Sequence, residues 1–430
     1  MPRYTLLFYL FFLFGIQGVS YSQEISSKDL DSLVNLDFKT LSDQFYKILE
    51  TKPSIAILYA KAHLKKGKKE KDLNKIATGF YLTSLTHLDN LEKRIQYIDS
   101  AITIRERTKY KKFLSFLYVH KGYVYNINNL FDKSLDHYLE ALEYAKKTNN
   151  NAYITIAQNN IALLKRKLGK YDEAKSLFKK CLSYRKSRLP EHKNDSIRYL
   201  VTLSELIITH IHNKEIDSAS ILNNQGMLMS LKIKMPKGKE IIRLFKFNKG
   251  ILDYHKKEYP TAIKNINNAL KPNEQLFFEN TSLINAYLFL GKSHNALSKK
   301  QVGLTYFKKI DSIVQQTNYV IPETRLAYLE IIEYYKSLGD KNNQLLYIDR
   351  LLYNDSLFNT YYKSMSTKIN KEYDTPKLLY QKEQLISDLQ TKKDTSFYGL
   401  IFLSIIIILI TSFFLLVIKK IKFTKSVLRS

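Results

Sequence analysis

The stretch YVHKGYVYNINNLFDKSLDHYLEA, residues 118–141, decides the fold of this chain. It places one small residue, Gly122, twelve positions before a second, Ser134, and a large ring, Tyr138, four positions later. Residues three or four positions apart lie on the same face of a helix. Small residues at the crossing point let two helices approach closely, and the large ring fills the adjoining space. The stretch therefore predicts a pair of closely packed antiparallel helices.

The same pattern recurs along the chain. Small residues twelve positions apart are found at Gly122 and Ser134, Ala162 and Ala174, Gly250 and Ala262, and Gly291 and Gly303. Weaker units near Tyr81, Ile207 and Ile332 complete a series with a period near 41 residues. Self-similarity at a fixed period indicates a repeat architecture.

This pattern resembles the tetratricopeptide repeat (TPR), although the usual repeat of that family is shorter, at about 34 residues. The resemblance implies an all-α, TPR-like α-solenoid of helical hairpins over residues 76–355, with residues 23–75 as an N-terminal helical cap. It also implies a groove, lined by the first helix of each hairpin, that binds a protein or peptide. The groove residues implied in this way are Tyr123, Asn126, Asn159, Arg166, Tyr254, Lys292 and Asn295.

Two apolar segments indicate export and membrane attachment. Residues 1–22 have the pattern of a secretory signal peptide cleaved after Ser22, and an uncleaved anchor is the alternative. Residues 395–418 carry no charged side chain and are long enough to cross a bilayer as a single transmembrane helix. The basic tail, residues 419–430, favours retention in the cytoplasm. We therefore expect a single-pass protein of the bacterial inner membrane with a periplasmic N-terminal domain and a cytoplasmic tail.

A juxtamembrane helical segment, residues 356–394, connects the repeats to the expected span. Thr375 before Pro376 is typical of a helix start, because threonine caps helices and proline suits the first helical position. Leu378, Leu385 and Leu389 fall on one side of that helix. This spacing favours a short coiled coil that forms a homodimer. A lone helix that packs on the last repeat is the alternative.

The whole arrangement is similar to membrane-bound TPR regulators of the Bacteroidetes type, whose relatives continue into an AraC-type helix-turn-helix domain or a histidine kinase. This sequence stops at Ser430, so we expect no such output domain in the residues present. The leading hypothesis is a membrane-anchored interaction or sensor module that signals through one transmembrane helix. The alternatives are a truncated AraC-type regulator without its DNA-binding domain, and an envelope scaffold or assembly factor.

The composition argues against several other classes of protein. Cys181 is the one cysteine and the nine histidines are dispersed, so we expect no metal site, and no cofactor-binding motif is present. Catalytic motifs are also missing, so we expect no enzyme. The net charge is +28, but lysines are spread along the chain and the expected domain is exported. We therefore expect no nucleic-acid partner for the residues present.

Overall fold

The computed structural model describes residues 27–49, 51–88, 90–108, 111–189, 195–233, 238–270 and 280–427. All regular secondary structure in these ranges is helical, so the prediction of an all-α chain is confirmed. The expected signal peptide, residues 1–22, lies outside the described residues.

The chain divides into two compact units, Met1–Ser366 and Thr367–Ser430. The described helices of the first unit are α1 Ser27–Val34, α2 Phe38–Ile48, α3 Pro53–Lys69, α4 Leu73–Ser84, α5 Leu91–Glu106, α6 Lys112–Ile127, α7 Phe131–Lys147, α8 Asn151–Lys167, α9 Tyr171–Ser187, α10 Asp195–His212, α11 Ile216–Leu231, α12 Gly238–His255, α13 Tyr259–Ala269, α14 Asn280–Ala296, α15 Lys300–Thr317, α16 Pro322–Ser337 and α17 Lys341–Ile369, which runs past the unit boundary. A π-helical turn, Asn370–Asp374, and helix α18, Thr375–Val427, belong to the second unit.

Within the described residues, seven hairpins with the same turn make up most of the first unit: α3/α4, α6/α7, α8/α9, α10/α11, α12/α13, α14/α15 and α16/α17. Each turn has three residues, and the middle one has a positive φ between 54° and 74°. In the turn after α6, for example, the N–H of Leu130 donates to the carbonyl of Tyr125 over 3.0 Å. This bond satisfies a carbonyl that the helix end leaves without a partner. The repeated turn explains the regular period of the sequence.

The small residues of the repeat lie where the two helices of a hairpin touch. A Cβ atom at Gly122 would lie 2.7 Å from the Tyr138 ring, and one at Gly291 would lie 2.4 Å from the Phe307 ring. Both distances are shorter than any ordinary carbon contact. The rings of Tyr138 and Phe307 are each 1% exposed, so each covers the small residue of its own hairpin. The close helix approach that the sequence predicts is confirmed.

The unit expected near Tyr81 is an exception. Gly122, Ala162, Ile207, Gly250, Gly291 and Ile332 all lie on the first helix of a hairpin, five residues before its end. Tyr81 instead lies on α4, which is the second helix of the hairpin α3/α4, and α5 is an additional helix before the next hairpin. In α3/α4 the close contact is made by Gly79, whose Cβ position is 2.6 Å from the Cα of Leu64. A contact between two backbones here replaces the contact between a ring and a glycine that α6/α7 and α14/α15 make.

The second unit is helical from its first described residue, and one prediction for it was wrong. Thr375 was expected to cap a new helix, but its φ of −62° and ψ of −50° are helical, and the π-helical turn precedes it directly. A capping residue has a non-helical backbone. Pro376 removes a hydrogen bond and crowds the preceding turn, and helices absorb such a fault by a local π turn. In the described residues α18 includes an apolar stretch long enough to cross a membrane.

Candidate functional site

The first helices of successive hairpins pack side by side: α6 on α8, α8 on α10, α10 on α12, α12 on α14 and α14 on α16. Together they form one face of the first unit. All seven groove residues that the resemblance implied lie on these helices: Tyr123 and Asn126 on α6, Asn159 and Arg166 on α8, Tyr254 on α12, and Lys292 and Asn295 on α14.

Three of the seven residues make the same contact with the next first helix. Each lies one turn after the small position of its own hairpin, and its partner lies two residues before the equivalent position of the next hairpin. The pairs are Arg166 with Glu205 at 2.6 Å, Tyr254 with Phe289 at 5.1 Å between ring centroids, and Asn295 with Glu330 at 2.9 Å. Equivalent positions are therefore filled by polar pairs in two cases and by an aromatic pair in the third. These contacts connect neighbouring hairpins along the face.

Asn159 is part of a second, buried connection. Its side-chain oxygen accepts a hydrogen bond from the Thr202 hydroxyl over 2.9 Å, and Asn159 is 2% exposed. Asn248 on α12 likewise donates to the hydroxyl of Ser204 over 2.8 Å. Sequence reasoning missed this second pair. Because buried polar groups need partners, the two hydrogen bonds hold α8, α10 and α12 in one register.

Tyr123 and Asn126 are also mostly covered, each 8% exposed. The side-chain oxygen of Asn126 accepts a hydrogen bond from the Lys167 ammonium over 3.1 Å. Lys292 is half-buried, so a ligand at this face reaches it more easily than it reaches Asn159. The face thus contains positions of two kinds, those engaged in packing and those open to a ligand.

A cavity of about 20 Å³ lies at one part of this face. Its lining comes from α8, α9 and α10, from the first turns of α14 and α16, and from the residue before α16: Arg166, Lys167, Tyr171, Ile208, His212, Thr281, Asn285, Ile321, Pro322 and Glu323. Of the seven implied groove residues, Arg166 lines the cavity, and Asn126 is connected to it through Lys167.

The cavity forms because a late connecting segment packs on early hairpins. The link between α15 and α16 contains Tyr319, Val320 and Ile321, which are 4%, 0% and 2% exposed. The Lys167 ammonium donates to the Tyr319 hydroxyl over 3.1 Å, although 152 residues separate the two in sequence. It also lies 4.3 Å from the centre of the Phe131 ring, a cation–π distance.

Sequence reasoning missed this contact, but one signal for it was present. The link between α7 and α8, residues 148–150, is polar and partly exposed, as expected of a surface loop. The link between α15 and α16 contains Tyr319, Val320 and Ile321, an apolar run in a connecting position. An apolar link indicates burial against another part of the chain.

Charges at the cavity are arranged in pairs. Arg166 pairs with Glu205, and Nδ1 of His212 lies 3.0 Å from a carboxylate oxygen of Glu323. Burial lowers the pKa of His212, and Glu323 opposes that change. Burial also raises the pKa of Tyr171, which therefore stays a neutral phenol near pH 7. Such a site presents hydrogen-bonding groups that are held in place by their neighbours.

Cys181 lies apart from this cavity, on α9. It is 1% exposed, and burial raises the pKa of its thiol to about 11. The reactive form of cysteine is the thiolate. Cys181 is therefore a packing residue.

Comparisons with known proteins agree with this architecture. Residues 113–187, which span the hairpins α6/α7 and α8/α9, match the family model for the tetratricopeptide repeat. A crystal structure of NprR in complex with its cognate peptide NprX has 14% sequence identity and a TM-score of 0.51, over 84% of this chain and 97% of that one. The apo form of RapI has 15% identity and a TM-score of 0.49, over 65% of this chain and 98% of that one. Aspartyl phosphate phosphatase F from Bacillus subtilis has 16% identity and a TM-score of 0.48, over 70% and 77%.

A comparison with curated protein sequences gave no match. At 14% identity the NprR structure is evidence for the fold alone. Together with the family match over two hairpins, it shows that the first unit of this chain is a TPR-like α-solenoid.

Proposed function

We propose that this chain is a membrane-anchored, TPR-like interaction module that binds a protein or peptide outside the cytoplasm. The face formed by the first helices carries this proposal, because it brings amide, aromatic and charged side chains from several hairpins together around a cavity. Arg166 and His212 are each held in place by a carboxylate, and polar groups fixed in this way suit the recognition of a ligand. NprR, which shares the fold, was solved with a peptide.

Photo-crosslinking in cells tests the binding part of the proposal. A photoreactive amino acid replaces Lys292, the half-buried position on a first helix, and in a matched variant it replaces Ile221, which is 60% exposed on the second helix α11. We expect discrete crosslinked products from position 292 and none from position 221. Equal products from both positions, or none from either, would contradict a ligand-binding face.

Membrane anchoring is proposed from helix α18. Large apolar side chains between Phe397 and Leu416 are exposed; Leu400 is 69% exposed and Phe402 is 66% exposed. An exposed apolar surface of this size is unfavourable in water. A helix of about 20 such residues is as long as the hydrocarbon core of a bilayer is thick. The basic residues after the span support a cytoplasmic tail and a periplasmic solenoid. We expect the chain to stay in carbonate-washed membranes, and to leave them when residues 397–418 are deleted.

Signalling is proposed to pass through a dimer of α18. Leu378, Leu385 and Leu389 are 63%, 62% and 65% exposed, so their apolar side chains are open to a second copy of the helix. Cysteines introduced at Leu385 and Leu389 are expected to crosslink two copies, and a purely monomeric pattern would exclude this dimer. Replacement of the span by an unrelated anchor distinguishes two hypotheses. A sensor would lose its function in this variant, whereas a passive scaffold would keep it.

A further inference from the structure

The last hairpin, α16/α17, exposes a surface that the hairpins before it bury. Leu329 lies on α16, three residues before Ile332, and it is 40% exposed. The equivalent residues of the five preceding hairpins are each at most 3% exposed: Val119, Asn159, Ser204, Phe247 and Leu288. In those hairpins the first helix of the next hairpin packs there. No described residue takes that place beside α16.

The second helix of the last hairpin shows the same difference. Leu345 on α17 is 61% exposed, whereas the equivalent Leu135 and Leu304 are 0% and 4% exposed. Leu352 is 62% exposed, whereas the equivalent Leu142 is 5% exposed. Leu345 and Leu352 are seven residues apart, so they lie on one side of α17. We call Leu329, Leu345 and Leu352 the open end of the solenoid, because a following hairpin would stack on them.

The beginning of the solenoid, in contrast, is covered. Helices α1 and α2 both pack on α3, the first helix of the first hairpin. Val34, Leu41 and Ala62 form a buried cluster there. A second copy of the chain therefore offers no matching uncovered hairpin at its start, and head-to-tail stacking of copies is disfavoured. The matching apolar surface that a second copy does offer is its own open end.

The charges of the last hairpin also favour a second copy as the partner. The whole sequence has a net charge of +28, so two copies repel each other over most of their surfaces. Residues 322–369 contain six basic and six acidic side chains, so this hairpin has no net charge. Some of these charges already pair within the hairpin, as Arg325 does with Asp355 at 3.2 Å. A strongly charged partner would gain little here, whereas a second copy would meet little repulsion.

We propose that the open ends of two copies pack on each other about a two-fold axis, so that the solenoid itself contributes an interface to a homodimer. Such a contact is closed, because each copy uses the same surface. The inference goes beyond the proposed dimer of α18, since it adds an interface within the first unit. Five residues separate α17 from α18, so a dimer of α18 would hold two open ends at a high effective concentration.

Cysteine crosslinking of the full chain in cell membranes tests this interface. Leu329, Leu345 and Leu352 are replaced by cysteine one at a time, and a short bismaleimide is added. The native Cys181 is 1% exposed, so it does not react. Leu228→Cys is the matched control, because Leu228 is 64% exposed on a second helix, α11, away from the last hairpin. We expect a product of twice the chain mass from the open end and none from the control.

A second measurement gives the strength of the contact. Leu345→Asn and the control Leu228→Asn both change an exposed leucine, so neither removes a packed side chain from the single chain. The dimer contains each changed position twice. We therefore expect Leu345→Asn to raise the dimer dissociation constant of the full chain in detergent about a hundredfold, measured by sedimentation, and the control to leave it unchanged.

The outcomes separate this interface from the proposals above. No product at the open end, as much product from Leu228→Cys, or a product with a different protein would each refute it. Crosslinks at Leu385 and Leu389 without any at the open end would leave only the dimer of α18, and the reverse pattern would leave only the interface proposed here. Ligand binding, tested at Lys292, stands or fails independently of both.

Discussion

The contact between α3 and α4 allows a sharp test of how the hairpins pack. Gly79→Ala adds one methyl group in a helix interior, which by intrinsic helix propensity alone stabilises a helix by about 1 kcal/mol. In this hairpin, however, the new Cβ would lie 2.6 Å from the Cα and 2.9 Å from the backbone nitrogen of Leu64. Carbon atoms in contact are normally about 3.5–4.0 Å apart.

Neither backbone moves aside as a side chain does, so the two helices must separate by about 1 Å. Overpacking of this kind costs about 1–3 kcal/mol and outweighs the gain in propensity. We expect a net loss of about 1 kcal/mol in the free energy of unfolding, the middle of that range less the gain in propensity, measured by urea denaturation followed by circular dichroism. Gly399→Ala is the control, because a Cβ there has no neighbour within 4 Å. If Gly79→Ala proves as stable as wild type or more stable, the packing argument is refuted.

Three further predictions follow from the turns, a buried histidine and an ion pair. Gly169 and Lys214 both have a positive φ, which glycine adopts more easily than other residues. In thermal denaturation, Gly169→Ala should destabilise the solenoid by about 1 kcal/mol, whereas Lys214→Gly should be neutral or stabilising. The opposite order would contradict the role of the turns. Burial, followed by the charge of Lys75, lowers the pKa of His63 to about 4. As the pH falls, the His63 side chain is therefore protonated in the unfolded state before it is protonated in the folded state. The free energy of unfolding then decreases as the pH drops from 7.5 to 5. His63→Leu should reduce that fall by about 2 kcal/mol in urea denaturation at the two pH values, and an unchanged fall would count against this assignment. Arg166→Met and Glu205→Gln in a double-mutant cycle should show a coupling free energy of about 1 kcal/mol, since the pair is partly buried, and a value near zero would mean that it does not connect the hairpins.

The repeat was readable from the sequence because its cause is local. Gly122 and Ser134 are twelve positions apart since a three-residue turn separates the two helices, and the same turn recurs in seven hairpins. Near Tyr81 this reasoning failed, because the helix α5 was inserted without changing the apparent period. Local patterns give helices and their crossing points, but they do not say which of two neighbours a helix pairs with.

For the groove residues too, the sequence predicted the helix on which each lies but not its contacts. Their placement on first helices followed from the repeat, but their partners did not. Arg166 and Asn295 are engaged with glutamates of the next hairpin, and Asn159 with a threonine, which only the packing of adjacent helices reveals.

By itself the sequence determined the all-α hairpins, their turns and the apolar stretch of α18, because each depends on residues within about one repeat of one another. Only the tertiary structure decided that Tyr319 meets Lys167 and that Asn285 lies at the cavity beside them. The reason is physical: in a solenoid each hairpin is rotated slightly relative to the last. The position of a late hairpin against an early one is the sum of those rotations, and no short stretch of sequence contains that sum.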